Sequence, residues 1–268
     1  MDRHRALNVV PVETIARAAA RARRRLVHLS SVAAYGRRTT YDGGTASVTE
    51  EFGLERPLFP GDHYARSKRE AELALWRVRE ETGLSAIALR PCVTYGERDR
   101  AFAIRVARAL RRGVVPLIGD GTNPLAVVYA GNVAAAALAA LDRPDVAGAF
   151  NVANDGAITQ RGFLERFAAG LGVRLRLIHI PHGLAWNVAL AADALLRVAR
   201  PSAPMATLRA AVQFLAAANP FVSSKAEREL GWRPVVPAME AVERTGRWFR
   251  EKDEDPELPA PGPREPSR

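Results

Sequence analysis

Tyr64-Ala65-Arg66-Ser67-Lys68 sets a phenol and an ammonium four residues apart at the start of a helical pattern. Residues four apart share one helical face, so both groups point into the same space. A fixed positive charge beside a phenol favours the phenolate, which gives a general acid and base usable near neutral pH. Taken alone the spacing also suits an ordinary helix surface, where Tyr and Lys are common. The flanking sequence has to decide. Behind the pair, Ala71, Leu75 and Val78 keep the helical rhythm to Thr82, Trp76 suits packing, and Gly83 is a stop signal.

Upstream, Leu26-Val27-His28-Leu29-Ser30-Ser31 reads as a short buried strand running into hydroxyl residues, followed by Val32-Ala33-Ala34-Tyr35-Gly36. Ligands of open α/β sheets collect beyond the carboxyl ends of strands, where Ser31 falls. Downstream, Ser85 to Arg90 is a second strand, ending in Pro91-Cys92-Val93-Thr94-Tyr95-Gly96. Strand-Ser-Ser, then Tyr-x-x-x-Lys, then strand-Arg-Pro-x-x-x-Tyr-Gly resembles the extended short-chain dehydrogenases/reductases. That family holds the NAD-dependent epimerases/dehydratases and the 3β-hydroxysteroid dehydrogenases. The resemblance continues through a last sheet strand at Ala149–Ala153, a helix capped by Thr159, and Trp232-Arg233-Pro234 with a closing helix to Arg250.

The resemblance implies an α/β fold: a Rossmann-like doubly wound parallel sheet with a smaller, mostly helical C-terminal substrate region. Residues 1–96 and 126–155 would form the dinucleotide-binding part, and 97–125 with 156–251 the substrate part. It further implies an NAD(P)-dependent enzyme acting by hydride transfer, with NAD favoured over NADP. Tyr64 would exchange the hydroxyl proton, Lys68 would tune it and bond the nicotinamide ribose, and Ser31 would stabilise the reacting oxygen. Ser31 is chosen over Ser30 because the family places this hydroxyl four residues before the tyrosine of Tyr-Gly, here Tyr35. Tyr64, Lys68, Ser30, Pro91, Cys92, Val93 and Asn8 are the cofactor contacts it implies, Asn8 acting on the lysine through water or simply capping its helix. Thr94, Arg98 and Tyr129 are the substrate contacts. Cys92 has no activating partner nearby in sequence, so small apolar filler suits it better than a nucleophile.

The substrate is narrowed by one position. Nucleotide-sugar members carry an arginine just before the strand written here Val127-Val128-Tyr129, and this chain has Leu125. A diphosphate would lose a strong bidentate partner. Gly131-Asn132-Val133 also resembles the hydroxysteroid-dehydrogenase branch. The expectation is therefore an apolar, sterol-like alcohol or ketone, with a nucleotide-sugar epimerase or dehydratase as the alternative.

One departure stands out. A dinucleotide fold begins with a strand, a glycine-rich turn and a helix whose N–H groups meet the pyrophosphate, yet no Gly-x-Gly-x-x-Gly or Gly-x-x-Gly-x-x-Gly occurs in the 268 residues. The sequence thus reads as N-terminally truncated by two to three βαβ units of roughly 30 residues each. A reading of another class follows, in which the chain is an inactive fragment or binding module unable to hold NAD(P).

Composition sets the outer bounds. Hydrophobic residues make up 48% and charged residues 25%, as in an ordinary globular protein. One cysteine excludes an internal disulfide framework, and no signal peptide or run of roughly 18 apolar residues is present. A cytoplasmic protein without a membrane span is expected, with a homodimer through the helices flanking Tyr64 allowed by the resemblance. The net charge of +10 comes mostly from arginines scattered along helices, which does not make a nucleic-acid surface. The densest group, Arg21 to Arg25, closes a helix read over Asn8 to Arg24, with Pro11 in its first turn.

In the C-terminal part, Ala101–Arg112 reads as a helix and Val114–Ile118 as a strand interrupted by Pro116. Leu177–Arg200 suits a helical lid, a peripheral membrane contact or plain core packing. His179 and His182 lack partners at metal-ligand spacing, so no metal is expected. Ser224-Lys225-Ala226-Glu227 reads as a capping box, and 252–268 as a disordered tail.

Overall fold

A computed structural model describes residues 3–36, 47–58, 61–153, 156–199 and 208–254. In chain order its first elements are α1 (Arg3–Arg21), β1 (Leu26–Leu29), α2 (His63–Thr82), β2 (Ala86–Pro91), β3 (Val93–Tyr95), α3 (Ala103–Leu110), β4 (Val114–Ile118) and β5 (Val127–Tyr129). There follow α4 (Ala130–Leu141), β6 (Gly148–Val152), α5 (Gln160–Leu171), β7 (Arg176–Ile180), α6 (His182–Ala199), α7 (Leu208–Ala216) and α8 (Ala238–Glu254). They fall into two compact units: Met1–Thr94 with Ala126–Gly156 and Ala218–Val235, and Tyr95–Leu125 with Ala157–Ala217 and Val236–Arg268.

The first unit is built on a parallel sheet in the order β1-β2-β6. Its central strand, β2, is buried along its whole length, as parallel strands covered on both faces are. Alternation then sorts the side chains. Leu26, Ala86 and Ala88 meet Ala16 of α1 and Leu75 and Val78 of α2. Ile87, Leu89 and Phe150 turn the other way, to Val133, Ala136 and Ala140 of α4. Helices on both faces of a parallel sheet make it doubly wound, as expected.

Several local expectations are corrected. The first helix starts at Arg3 and ends at Arg21, not at Asn8 and Arg24. Pro11 therefore lies in its interior, where a missing N–H and a clash with the preceding turn cost about 3 kcal/mol. Packing of Val9, Val12 and Ala16 onto α2 overrides that local cost. Asn8 is likewise inside the helix and caps nothing. Arg23 takes a left-handed φ of 51° to turn the chain into β1. The segment Ala218–Val235, read with the substrate region, packs in the first unit. There Phe221, Ala226, Leu230 and Trp232 complete the core around Tyr35 and Phe150.

Within the second unit β4 and β7 pair in parallel, Val114 opposite Arg176 through Ile118 opposite Ile180. The strand is not interrupted at Pro116, which pairs with Ile178; a two-stranded sheet tolerates proline as an edge does. The apolar run at Leu177–Arg200 is correspondingly not one helix: 176–180 is strand, Pro181 breaks it, and α6 follows. α3 is shorter than read, because Asp99 accepts from the N–H groups of Ala101, Phe102 and Ala103 and holds the entry turn out of the helix. The capping box is not formed: no side chain caps the π-helical turn Ala226–Leu230, and Ser223 bonds the Ala153 N–H instead. The tail read at 252–268 is helical to Glu254; the rest of it, with Phe59-Pro60, lies outside the described residues.

Candidate active site

The pair that decided the fold sits on the first turns of α2. Asp62 caps the helix by accepting from the Ala65 N–H at 3.2 Å, and Gly83 ends it in a left-handed turn. Ala65 and Ser67 are buried, whereas Tyr64 is 51% exposed and Lys68 half-buried. The Lys68 ammonium lies 6.0 Å from the centre of the Tyr64 ring and donates to the Leu29 carbonyl, the last of β1, at 3.3 Å. Burial lowers the Lys68 pKa from its ordinary value. Asn8 donates to the Ser67 hydroxyl, which donates to the Tyr64 carbonyl at 2.9 Å. Asn8 thus ties α1 to the turn that carries the phenol.

β1 delivers the hydroxyls. Ser31 caps a 3₁₀ turn, Val32–Tyr35, its Oγ accepting from the Ala33 N–H at 3.2 Å. That leaves the hydroxyl proton for another acceptor. Ser30 is spent differently: its hydroxyl donates to Glu72 Oε2 at 2.6 Å. Glu72 is fully buried, one turn beyond Lys68 on α2. Its carboxylate also takes Arg90 Nε and Nη2 from the end of β2 and Trp76 Nε1. Arg90 Nη1 donates onward to the Tyr35 hydroxyl at 2.6 Å, which donates to Asn151 Oδ1 of β6 at 2.9 Å. Burial pushes the Tyr35 phenol up to about 12, against the pull of Arg90. Arg90 itself is held charged: burial is outweighed by the Glu72 carboxylate.

His28 stands beneath this end of the sheet. Among the described residues its Nε2 has no hydrogen-bond partner, and burial, aided by the Lys68 charge, lowers its pKa to about 4. It is neutral across the physiological range.

The remaining expected site residues divide. Pro91 and Cys92 are buried, the Cys92 thiol donating to the Ala153 carbonyl, while Val93 and Thr94 are exposed. Val93 donates its N–H to Ala126 O at 3.2 Å. Tyr129 is buried, its ring so close over Gly131 that a Cβ there would come within 2.5 Å of it. Arg98 is exposed in the second unit, at a φ of 64°. Among the described residues no cluster of His, Cys, Asp and Glu could hold a metal; His179 accepts from Arg161 and donates to Gly119 O.

A doubly wound parallel sheet with a Tyr/Lys helix across the end of a Ser-Ser strand defines a Rossmann-like α/β protein. The chain belongs to the NAD-dependent epimerase/dehydratase family, whose model matches residues 5–153, more than half of it. A 3β-hydroxysteroid-dehydrogenase/decarboxylase of Arabidopsis thaliana is 28% identical over 83% of this chain and 52% of its own length. A 4-hydroxy-2-methyl-3-oxo-4-farnesyl-3,4-dihydroquinoline-1-oxide ketoreductase of Stigmatella aurantiaca is 28% identical over 85% of this chain and 66% of its own. A dTDP-glucose 4,6-dehydratase of Bacillus anthracis, solved with NAD, superposes with a TM-score of 0.62 at 19% identity, covering 92% of this chain and 68% of that one. The chain spans about half the length of the first curated relatives it matches.

The residues present fit one end of a nicotinamide dinucleotide. An ammonium has three N–H donors, and among the described residues Lys68 has one acceptor, Leu29 O, so two donors remain for the hydroxyls of a ribose. No glycine-rich motif for the pyrophosphate occurs in these 268 residues. Sequence reading missed Glu72, Arg90 and Asn151. The signal was there: Glu72 lies beside Ala71 and Leu75 on the apolar face of α2, and Arg90 ends an otherwise apolar strand. A lone acid and a lone base, each on a buried face, each need a partner, though sequence spacing does not say which.

Proposed function

We propose that the chain carries the catalytic face of an NAD(P)-dependent oxidoreductase acting on the hydroxyl or keto group of an apolar, sterol-like substrate. The observation that carries this reading is the Lys68 ammonium, 6.0 Å from the Tyr64 ring centre and bonded to the Leu29 carbonyl, two residues before Ser31. A bound nicotinamide supplies or accepts the hydride. In the reducing direction the Tyr64 hydroxyl gives its proton to the carbonyl oxygen, and Ser31, whose proton is uncommitted among the described residues, donates a hydrogen bond to the same oxygen. The remaining donors of Lys68 hold the ribose. Pro91 to Val93 offer backbone groups to the carboxamide, and Thr94 faces the substrate. Ser30 supports the site rather than the cofactor, because its hydroxyl is spent on Glu72.

The apolar substrate class rests on Leu125, buried at 4% exposure where the sugar-nucleotide branch carries arginine, and on the relatives from Arabidopsis and Stigmatella. The match to the NAD-dependent epimerase/dehydratase family keeps a sugar-nucleotide substrate as the second reading. The test is fluorescence titration of the full chain with NADH and NADPH, followed by reduction of a 3-ketosteroid in the presence and absence of UDP- and dTDP-sugars. Saturable cofactor binding with steroid reduction is expected. Inhibition by the sugars at micromolar concentration would favour the second reading. An absence of binding would sink both and leave a binding module.

A further inference from the structure

Glu72 is the only charged side chain among the described residues of α2 at 0% exposure. A buried carboxylate is costly unless it is paired and hydrogen-bonded, and here it accepts from three side chains: Ser30 just past β1, Trp76 of its own helix and Arg90 of β2. One partner, Ser30, adjoins the hydroxyl assigned to the reacting oxygen. Another, Arg90, reaches Tyr35 at the far end of the same turn. Arg69, the residue after Lys68, adds a bond from α2 to the Ala34 carbonyl at 2.8 Å. The Ser30–Tyr35 turn is therefore held at both ends, and the carboxylate joins the two holds.

Resting on the hydride-transfer reading, we infer that Glu72 is a positioning residue. It touches neither substrate nor cofactor; through Ser30 directly and Arg90–Tyr35 indirectly it fixes where Ser31 stands relative to Tyr64 and Lys68, two turns and one turn earlier on the same helix. The Asn151 amide extends the hold to β6 and to the Val48 carbonyl, and its own N–H is bonded by Glu50. One carboxylate thereby sets the geometry between the sheet's hydroxyl and the helix's phenol. Such a role costs turnover rather than affinity when it is lost, since misplacement of about 1 Å can cost up to ~10²-fold in rate.

The test uses the full chain with Ser30→Ala, Glu72→Gln and both together. For Ser30→Ala, kcat should fall tenfold or more, on the order of a small misplacement, with KM and the NADH dissociation constant within about twofold. Amide exchange at Ala33 and Ala34, which bond to Ser31, should accelerate. Glu72→Gln should act in the same direction, and the double variant should be no slower than Glu72→Gln alone, because both changes cut one link. Additive losses, a KM effect without a kcat effect, or unaltered exchange would overturn the proposal. Should Glu72→Gln fail to fold, the kcat/KM split and the exchange rates of Ser30→Ala still decide it. A wild-type chain without turnover would overturn the hydride-transfer reading alone, leaving exchange at Ala33 and Ala34 to decide the hold.

Discussion

α5 and α8 cross in the second unit where Gly170 faces Gly246, and a methyl group at either position has nowhere to go. A Cβ at Gly170 would stand 2.0 Å from the Glu243 carbonyl oxygen and 2.9 Å from the Arg247 nitrogen; one at Gly246 would stand 2.4 Å from the Phe167 oxygen. Ordinary contact begins near 3.4 Å, so Gly170→Ala forces the helices about 1.4 Å apart, backbone against backbone, and loosens the Phe167–Phe249 ring contact at 6.1 Å. Overpacking of this kind costs about 1–3 kcal/mol, and a clash with main chain belongs at the upper end. Alanine returns up to ~1 kcal/mol of helix propensity. The net loss is about 2 kcal/mol, or roughly 4–8 °C in melting temperature for a chain of this size. Gly183, near the start of α6, is the control: a Cβ there meets nothing within 4 Å, so Gly183→Ala should leave stability unchanged or raise it by up to ~1 kcal/mol. Differential scanning fluorimetry of the two variants checks this. A Gly170→Ala protein as stable as the wild type would refute the close crossing of α5 and α8.

Tyr64→Phe should lower turnover by about 10²–10⁴-fold while NADH titration stays nearly unchanged, and retained turnover would remove the phenol from the chemistry. Arg25→Ala should destabilise by about 2–4 kcal/mol in urea unfolding, because its guanidinium binds the carbonyls of Ala140, Pro144 and Val146 and the Ser85 hydroxyl; a loss below 0.5 kcal/mol would count against that clamp. His28 gives a pH dependence whose sign is fixed. Its folded pKa of about 4 lies below the ordinary 6.5, so the unfolded chain binds a proton first as pH falls. Stability should therefore be full above about pH 6.5 and decline towards pH 4, by about 3 kcal/mol. His28→Leu should flatten that part of the profile, measured as urea midpoints between pH 7 and 4; an unchanged slope would show that His28 is not its source.

The layered fold was legible because each of its strands carries a local pattern. Ala86 to Leu89 is continuously apolar, and Leu26 to Leu29 runs straight into its two serines. The Tyr64/Lys68 face was legible for a similar reason, since a separation of four has a fixed meaning on a helix. What could not be read depends on partners distant along the chain. Pro11 suits the first turn of a helix starting at Asn8; the helix starts at Arg3, and the packing of Val9 and Val12 on α2 holds the proline in its interior. Arg176–Ile180 looked like the start of the helix behind it because an apolar run of that length has no period to betray it; its pairing with β4 decides. The capping box at Ser224 failed because Ser224 is already inside the helical turn. The bonds of Glu72 to Ser30 and Arg90 bridge 42 and 18 residues, separations at which sequence spacing carries no geometry.

The buried ion pair also says where this protein can tolerate a change in length. One residue inserted in α2 between Lys68 and Glu72 would swing the carboxylate about 100° around the helix, away from the guanidinium at the end of β2. Both ends of that pair would then be stranded charges in an apolar interior. Length variation among natural relatives should accordingly avoid the span from the phenol to this acid and gather in the connections outside it.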